Sequence, residues 1–409
     1  MKLWKKILLA IGLGIVSGLL IYQWQGVYKA TTISFLIQIG KVFINLLKML
    51  VGIIVFSSLV SGISHISDPK TLGRIGIRTL AFYVLSTLCA IGFGLFMAYA
   101  IQPGEGLNMT LSPTTTIHHH ENLADFIFSV IPSNPFASFA EGNILQIIVF
   151  AIFFAIAIII TGERGKPILH LVESIGEIMG NLTHVVMRFA PYGVFALMTT
   201  TVAMTGTRAI EKLGWAVLSI FLACLLQVSV IFTLAIHRLA KLTVAPFFRG
   251  MKDAIMVAIS TSSSAATLPV SLECAREKLG ISHDISGFVL SLGSTVNMNG
   301  TAIGQAVLSC FIAQAYNIEL SFIKILVLFV TTLVSAIGTA GIPGSGLVML
   351  SVVLNSMGLP LDGIALVAGI DRLRDMMGTV VNILGDAVAA VYVSKKEGQI
   401  DITKYLMQK

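Results

Sequence analysis

Charge is what this chain has least of. Asp, Glu, Lys and Arg make up 11% of its 409 residues, where a soluble domain carries about 25%, so a solvated globular surface is excluded. The net charge of +7 is spread over short connecting segments, which excludes a nucleic-acid-binding patch. Cysteine is scarce as well. Cys89, Cys224, Cys274 and Cys310 lie singly in or near apolar segments, without CxxC spacing or a disulfide framework, and read as packing residues. Between Arg78 and Arg164 there is no Lys or Arg.

What is abundant is apolar: 56% of the residues are hydrophobic and the mean hydropathy is +0.90. Runs of about 20 apolar residues, enough to cross a bilayer core of about 30 Å, recur along the whole length and leave no room for a separate soluble domain. The composition predicts an all-α polytopic membrane protein surrounded by lipid. The opening MKLWKKILLAIGLGIVSGLLIY has the regions of a signal peptide, but its apolar run is long and no Ala-x-Ala pattern follows, so it reads as an uncleaved first span.

Spans are expected at 4–22, 36–62 and 76–101. Lys2, Lys5 and Lys6 before the first, and Lys70, Arg74 and Arg78 before the third, place those ends in the cytoplasm. The connection 102–127, acidic and free of Lys and Arg, then lies outside. Its His118, His119 and His120 are adjacent, do not share a helix face and lack a spaced fourth ligand, so they read as a solvated loop rather than a metal site. A fourth span broken near Pro132 and Pro135, a fifth over 168–203 kinked at Pro191, and a sixth over 213–236 bring the chain back inside.

Beyond this the regular pattern fails. Residues 251–276 are basic at both ends and broken at the centre by TSSSAATLP (261–269). Each apolar arm is too short to cross alone, which predicts a helical hairpin that enters from the inside and turns back. A seventh span, 281–312, is interrupted by GSTVNMNGT (293–301). Residues 321–358 repeat the hairpin from outside, broken at GTAGIPGSG (338–346). Two opposed hairpins, each followed by a helix with a polar midsection, form an inverted repeat whose tips should meet near the midplane. Lys395 and Lys396 close the eighth span in the cytoplasm, giving eight spans with both termini inside. Short loops suit a bacterial inner membrane.

The eighth span, read as one helix over 361–392, carries Asp371, Asp375, Thr379, Asn382 and Asp386 at spacings that put them on one stripe. A charge in the bilayer costs at least about 2.5 kcal/mol, so the stripe must face protein, water or an ion. Asp371 and Asp375 can pair with Arg372 and Arg374, but that leaves Asn382 and Asp386 unexplained. Hairpin-tip N–H groups suit a substrate carboxylate, and Asp375 can take an ammonium group. Carbonyls freed near Gly293 and Asn297, with Asn382 and Asp386, offer the hard oxygen ligands of a small cation. A substrate site beside a cation site is the minimal design of a coupled symporter.

TSSSAATLP, NMNGT, GTAGIPGSG and DRLRDMMGTVVNILGD together resemble the dicarboxylate/amino acid:cation symporters, which include the glutamate transporters and neutral amino acid exchangers. The resemblance spans the chain and is most specific over 251–392. It implies a homotrimer with an elevator mechanism: scaffold spans in 1–75 and 128–203, a mobile transport domain made of 76–101 and 204–409, and the outer loop 102–127. It also implies that Ser263, Ser264, the tip amides around Ile342 and Gly346, and Asn382 hold the substrate carboxylate. Asp375 would hold the amino group, and Thr301 and Thr379 would line the side-chain end. One sodium site would use Gly293, Asn297, Asn382 and Asp386. A second would use Thr295, Met298, Ala336, Ile337 and Thr339. Gly341, Pro343 and Gly344 would let the outer hairpin act as a gate.

Two positions depart from that family's pattern. Gly378 stands where acidic-substrate members have an arginine for the second carboxylate, and glycine cannot replace a bidentate guanidinium. This predicts a neutral amino acid filling the vacated volume; Arg374 swinging in would instead preserve an acidic amino acid or C4-dicarboxylate as substrate. Asn299 stands where sodium-coupled members carry an Asp that forms a third cation site with residues matching Tyr83, Ser86 and Thr87. Its loss predicts fewer coupled sodium ions, or a proton in place of one.

Other classes fit less well. Asp375 and Asp386 share a helix about 16 Å apart by rise, too far for an aspartyl-protease pair. Ser262 to Ser264 have no histidine base within the membrane. A channel is the nearer rival, but it does not accumulate a solute under an ion gradient.

Overall fold

A computed structural model of the protein describes residues 3–23, 28–64, 72–109, 131–141, 144–339, 341 and 344–407. The described residues are helical almost throughout, as a low-dielectric surrounding requires of a backbone that must satisfy its own polar groups. Their one isolated backbone bridge joins Ile281 and Ile400.

In chain order, α1 (Leu3–Gln23), α2 (Lys29–Ser64) and α3 (Leu72–Ile101) are long and uninterrupted. α4 (Pro135–Glu141) and α5 (Ile144–Thr161) follow. The expected fifth span is two helices, α6 (Lys166–Met187) and α7 (Ala190–Thr205), because Pro191 in the first turn of α7 cannot extend α6. The sixth is α8 (Thr207–Leu226), which runs on through π-helical turns at Gln227–Phe232 and Ala235–Leu239. The loop histidines His118, His119 and His120 lie outside the described residues.

The remainder alternates short helices with breaks. After α9 (Val244–Gly250), α10 (Lys252–Thr261) and α11 (Ser264–Glu273) pack on each other across the Ser262–Ser263 break. α12 (His283–Val296) and α13 (Asn299–Ala315) are separated at Asn297 and Met298. α14 (Phe322–Ile337) and α15 (Ser345–Ser356) form a second packed pair. The helix expected over 361–392 is divided: α16 (Gly363–Val367) ends before α17 (Asp371–Lys396) begins. Gly369 lies in that break, against Met198 of α7, where an added Cβ would sit 2.8 Å from the sulfur.

Two sets of helices emerge from the packing. α1 and α2 pack chiefly with α5, α6 and α7, and α3, α8, α10 to α15 and α17 pack chiefly among themselves, whereas the short α16 packs chiefly on α7 of the first set. Small residues set the first crossing: Cβ atoms added at Gly14 and Gly18 of α1 would lie 2.8 Å from Met198 Cβ and 2.6 Å from Val202 Cβ of α7. In the second set, α17 is central, touching α3, α8, α10, α11, α12 and α13. Its far end is tied down by charge and backbone. Arg74 (2.5 Å) and Arg78 of α3 reach Glu397, Asp401 N donates to Gly280 O (2.8 Å), and Tyr405 of α18 (Ile402–Leu406) donates to Thr243 O (2.7 Å). The feet of the first pair are joined by Lys278 and Asp253 (2.5 Å), a contact that holds the Asp253 carboxyl below its usual range.

Candidate substrate and cation site

The two broken pairs touch at their breaks. Ser262 takes a left-handed conformation (φ 52°), which swings Ser263 into position to cap α11. The Ser263 hydroxyl accepts from Ala266 N (3.1 Å) and donates to Gly341 O (2.6 Å), which Ala265 N also reaches at 3.1 Å. Gly341 must be glycine for this approach, since an added Cβ would lie 2.7 Å from Ser294 O. Gly344, at φ 84°, turns the chain into α15. Its N–H donates to Asp375 Oδ2 at 2.8 Å. Ser264 and Gly346 are buried beside these breaks; Ile342 and Pro343 lie outside the described residues.

The polar stripe of α17 is buried along its length: Asp371, Asp375, Thr379, Asn382 and Asp386 are each no more than 9% exposed. Of the two arginines expected to pair with Asp371 and Asp375, only Arg374 does so. Its Nε and Nη2 donate to Asp371 Oδ1 at 2.9 and 2.6 Å, and Nη2 also reaches Asp375 Oδ1 at 2.9 Å. Arg374 is 2% exposed. Arg372 instead points at the carbonyls of Ser260 and Thr261, both at 3.5 Å.

Gly378 has a different role from the one expected of it. It crosses the backbone of Gly300, and a Cβ added at 378 would lie 3.2 Å from Gly300 C. In the direction of the missing side chain there is a helix, not a vacated volume. Thr301 is buried near this crossing.

Around Asp386 the structure brings together Gly293, Asn297 and Tyr83. Asn297 Nδ2 donates to Asp386 Oδ1 at 2.8 Å, and a Cβ at Gly293 would overlap the carboxylate and sit 2.6 Å from the Tyr83 hydroxyl. Asn382 lies one turn away and uses its oxygen to cap α13 at Gly300 N (2.8 Å) and its amide to reach Met298 Sδ (3.1 Å). Among the described residues, Asp386 receives one hydrogen bond and Asn297 Oδ1 receives none. A buried carboxylate and a buried amide oxygen so poorly supplied with donors fit a small hard cation.

For the second cation set, Thr339 donates to Ser335 O (2.6 Å) and its N–H to Ala336 O (3.4 Å), next to Ile337 at the end of α14. Met298 is buried, and Thr295 is exposed and donates to Leu292 O (3.1 Å). In the third set, Ser86, Thr87 and Asn299 come together. Thr87 donates to Asn299 Oδ1 and Asn299 Nδ2 to Ser86 Oγ, each at 2.7 Å. Tyr83 donates elsewhere, to Val289 O at 2.8 Å. The fourth member of this network is Gln227, which sequence reasoning missed: its amide donates to Ser86 Oγ (3.0 Å) and Ser86 O (3.1 Å) from the π turn of α8. A lone Gln within the apolar sixth span was the available signal.

Apposed helix breaks, a buried ion-paired stripe and under-donated oxygens beside it are the parts of an ion-coupled secondary transporter rather than of an enzyme. The chain belongs to the sodium:dicarboxylate symporter family, whose model matches residues 3–396. It is 35% identical over 408 residues to the proton/sodium-glutamate symport protein of Bacillus subtilis strain 168, covering 98% of this chain and 94% of that one. To the proton/glutamate-aspartate symporter of Escherichia coli K12 it is 36% identical, with coverage of 98% and 94%. To the C4-dicarboxylate transport protein of Geobacter sp. strain M21 it is 32% identical, with coverage of 98% and 92%.

Proposed function

We propose that this protein is a multi-pass membrane symporter that imports an acidic amino acid, glutamate or aspartate, with sodium ions, protons or both. The observation that carries the substrate is Arg374, whose buried guanidinium lies against Gly346 at the second helix break. It supplies the positive charge that Gly378 lacks, as two relatives' names, glutamate and glutamate-aspartate symport, also suggest. Asp375 separates an amino acid from a plain C4-dicarboxylate, because a carboxylate there favours an ammonium and repels a second carboxylate.

Charge balance accounts for coupling. The buried set holds three carboxylates, Asp371, Asp375 and Asp386, against one guanidinium, Arg374. Bringing a further anion into it without cations is costly in low dielectric. The cations belong beside Asp386 and Asn297, with the set around Thr339 as a second position. The Gly344 tip closes on Asp375, so that release of this hydrogen bond admits substrate. In the elevator reading, α3, α8 and α10 to α17 travel together against α1, α2 and α4 to α7, within a homotrimer.

The test is uptake into proteoliposomes with glutamate, aspartate, glutamine, serine and succinate as competitors. The expected result is competition by glutamate or aspartate and weak competition by succinate. A neutral amino acid is the second reading, resting on Gly378. Uptake of serine or glutamine to the exclusion of glutamate and aspartate would establish it and overturn the first.

A further inference from the structure

The geometry points to Gly304 as the specificity-determining residue of this transporter, the position that seats the Arg374 side chain for an anionic substrate. The inference rests on the acidic-substrate reading above and names the residue that makes it possible.

Arg374 leaves α17 between Asp371 and Asp375 and runs across the face of α13. At that crossing, a Cβ added at Gly304 would lie 2.6 Å from Arg374 Cδ, 3.0 Å from Cγ and 3.3 Å from Nη1. Any side chain at 304 therefore takes the space of the arginine stem. On the far side, a Cβ at Gly346 would overlap both Nη1 and Nη2. The guanidinium thus lies in a slot with a glycine on either wall. Gly304 belongs to one helix and Gly346 to another, and both are buried.

Hydrogen bonding fixes the orientation within the slot. Among the described residues, the three hydrogen bonds of the guanidinium use Nε and Nη2, on the Asp371 and Asp375 side. Nη1 is the nitrogen on the Gly304 side, and Gly346 lies against both Nη1 and Nη2. A planar fork anchored through one edge presents its other nitrogen in a fixed direction, as recognition of a carboxylate requires. Asp371, which takes two of the three bonds on one oxygen, is the positioning residue. Neither glycine is needed for backbone reasons, since neither has a positive φ. Alanine at 304 would, if anything, favour helix α13. What glycine provides there is room for Arg374.

The test compares glutamate with its neutral isostere glutamine in the wild type, Gly304→Ala, Arg374→Ala and the double variant, with KM and kcat measured separately. Displacing the guanidinium should raise the KM for glutamate at least about tenfold in Gly304→Ala, the equivalent of losing one charge-assisted hydrogen bond, and leave glutamine little changed. Because Gly304 acts through Arg374, Gly304→Ala should add nothing in the Arg374→Ala background. Gly304→Ser serves as a second variant and should behave as Gly304→Ala does. Wild type and Arg374→Ala differing in glutamate preference while both Gly304 variants keep the wild-type ratio would overturn this inference alone, as would a further loss in the double variant. An Arg374→Ala transporter with an undiminished preference for glutamate would overturn it together with the acidic-substrate reading.

Discussion

Asp375 is held from two sides, by Gly344 N and by Arg374 Nη2. Removing one partner of a buried charge pair costs about 3–5 kcal/mol. Asp375→Asn should therefore raise the glutamate KM by two orders of magnitude or more, roughly the same energy expressed as affinity; an unchanged KM would remove the ammonium from this position. Asn299 makes a different prediction. It takes a bond from Thr87 and gives one to Ser86, which Gln227 also supports. All four side chains are neutral and bond one another, and among the described residues Gln227 Oε1 alone in this cluster's side chains is buried without a partner. Asn299→Asp places a buried carboxylate there, and the sodium dependence of uptake should become steeper by about one ion per substrate as the charge finds its partner. Flux measured against sodium concentration decides it, and an unaltered slope in a correctly folded variant contradicts it.

Among elements, the breaks matter more than the helices. Gly344 at φ 84° both starts α15 and presents the N–H that reaches Asp375. An alanine in left-handed backbone costs about 1–2 kcal/mol, so Gly344→Ala should weaken closure of the tip and speed release of bound substrate. A dissociation rate equal to that of the wild type would show that the tip does not depend on this turn. The breaks themselves were legible in the sequence. Ser, Gly and Pro interrupt apolar arms too short to cross alone, and each interruption appears as a helix end at Ser262, Asn297 and Gly338. The π turn that carries Gln227 was not legible, because i→i+5 bonding leaves no residue signature in an apolar run. Between α6 and α7 the sequence predicts a kink and the structure has a full separation. Pro191 is in either case the cause.

At the scale of the whole molecule, the buried stripe of α17 was visible as polarity within an apolar field, since a charge inside a bilayer must meet protein, water or an ion. Which arginine would serve it was not. That depends on Gly304 and Gly346, distant in sequence, and on Gly378 meeting Gly300, a packing fact that spacing along one helix cannot reveal. Two helix sets built on different close contacts also suggest different mutational responses. Gly18 packs on Val202 and on Thr199 O, where an added Cβ would lie 2.8 Å away from the carbonyl. Gly18→Val should destabilise the protein by about 1–3 kcal/mol through overpacking while leaving the glutamate-to-glutamine preference alone. Thermal unfolding in detergent alongside competition assays separates those effects, and a changed preference would mean that the two sets are coupled at the site.

Coupling is the central claim, and concentrative uptake tests it most directly. Labelled glutamate is offered to sealed proteoliposomes with an inward sodium gradient, an inward proton gradient, both, or neither. The charge balance around Asp371, Arg374, Asp375 and Asp386 predicts accumulation above the external concentration under at least one gradient, and only equilibration without any. Flux of equal extent in all four conditions would contradict it and make the protein a passive pathway.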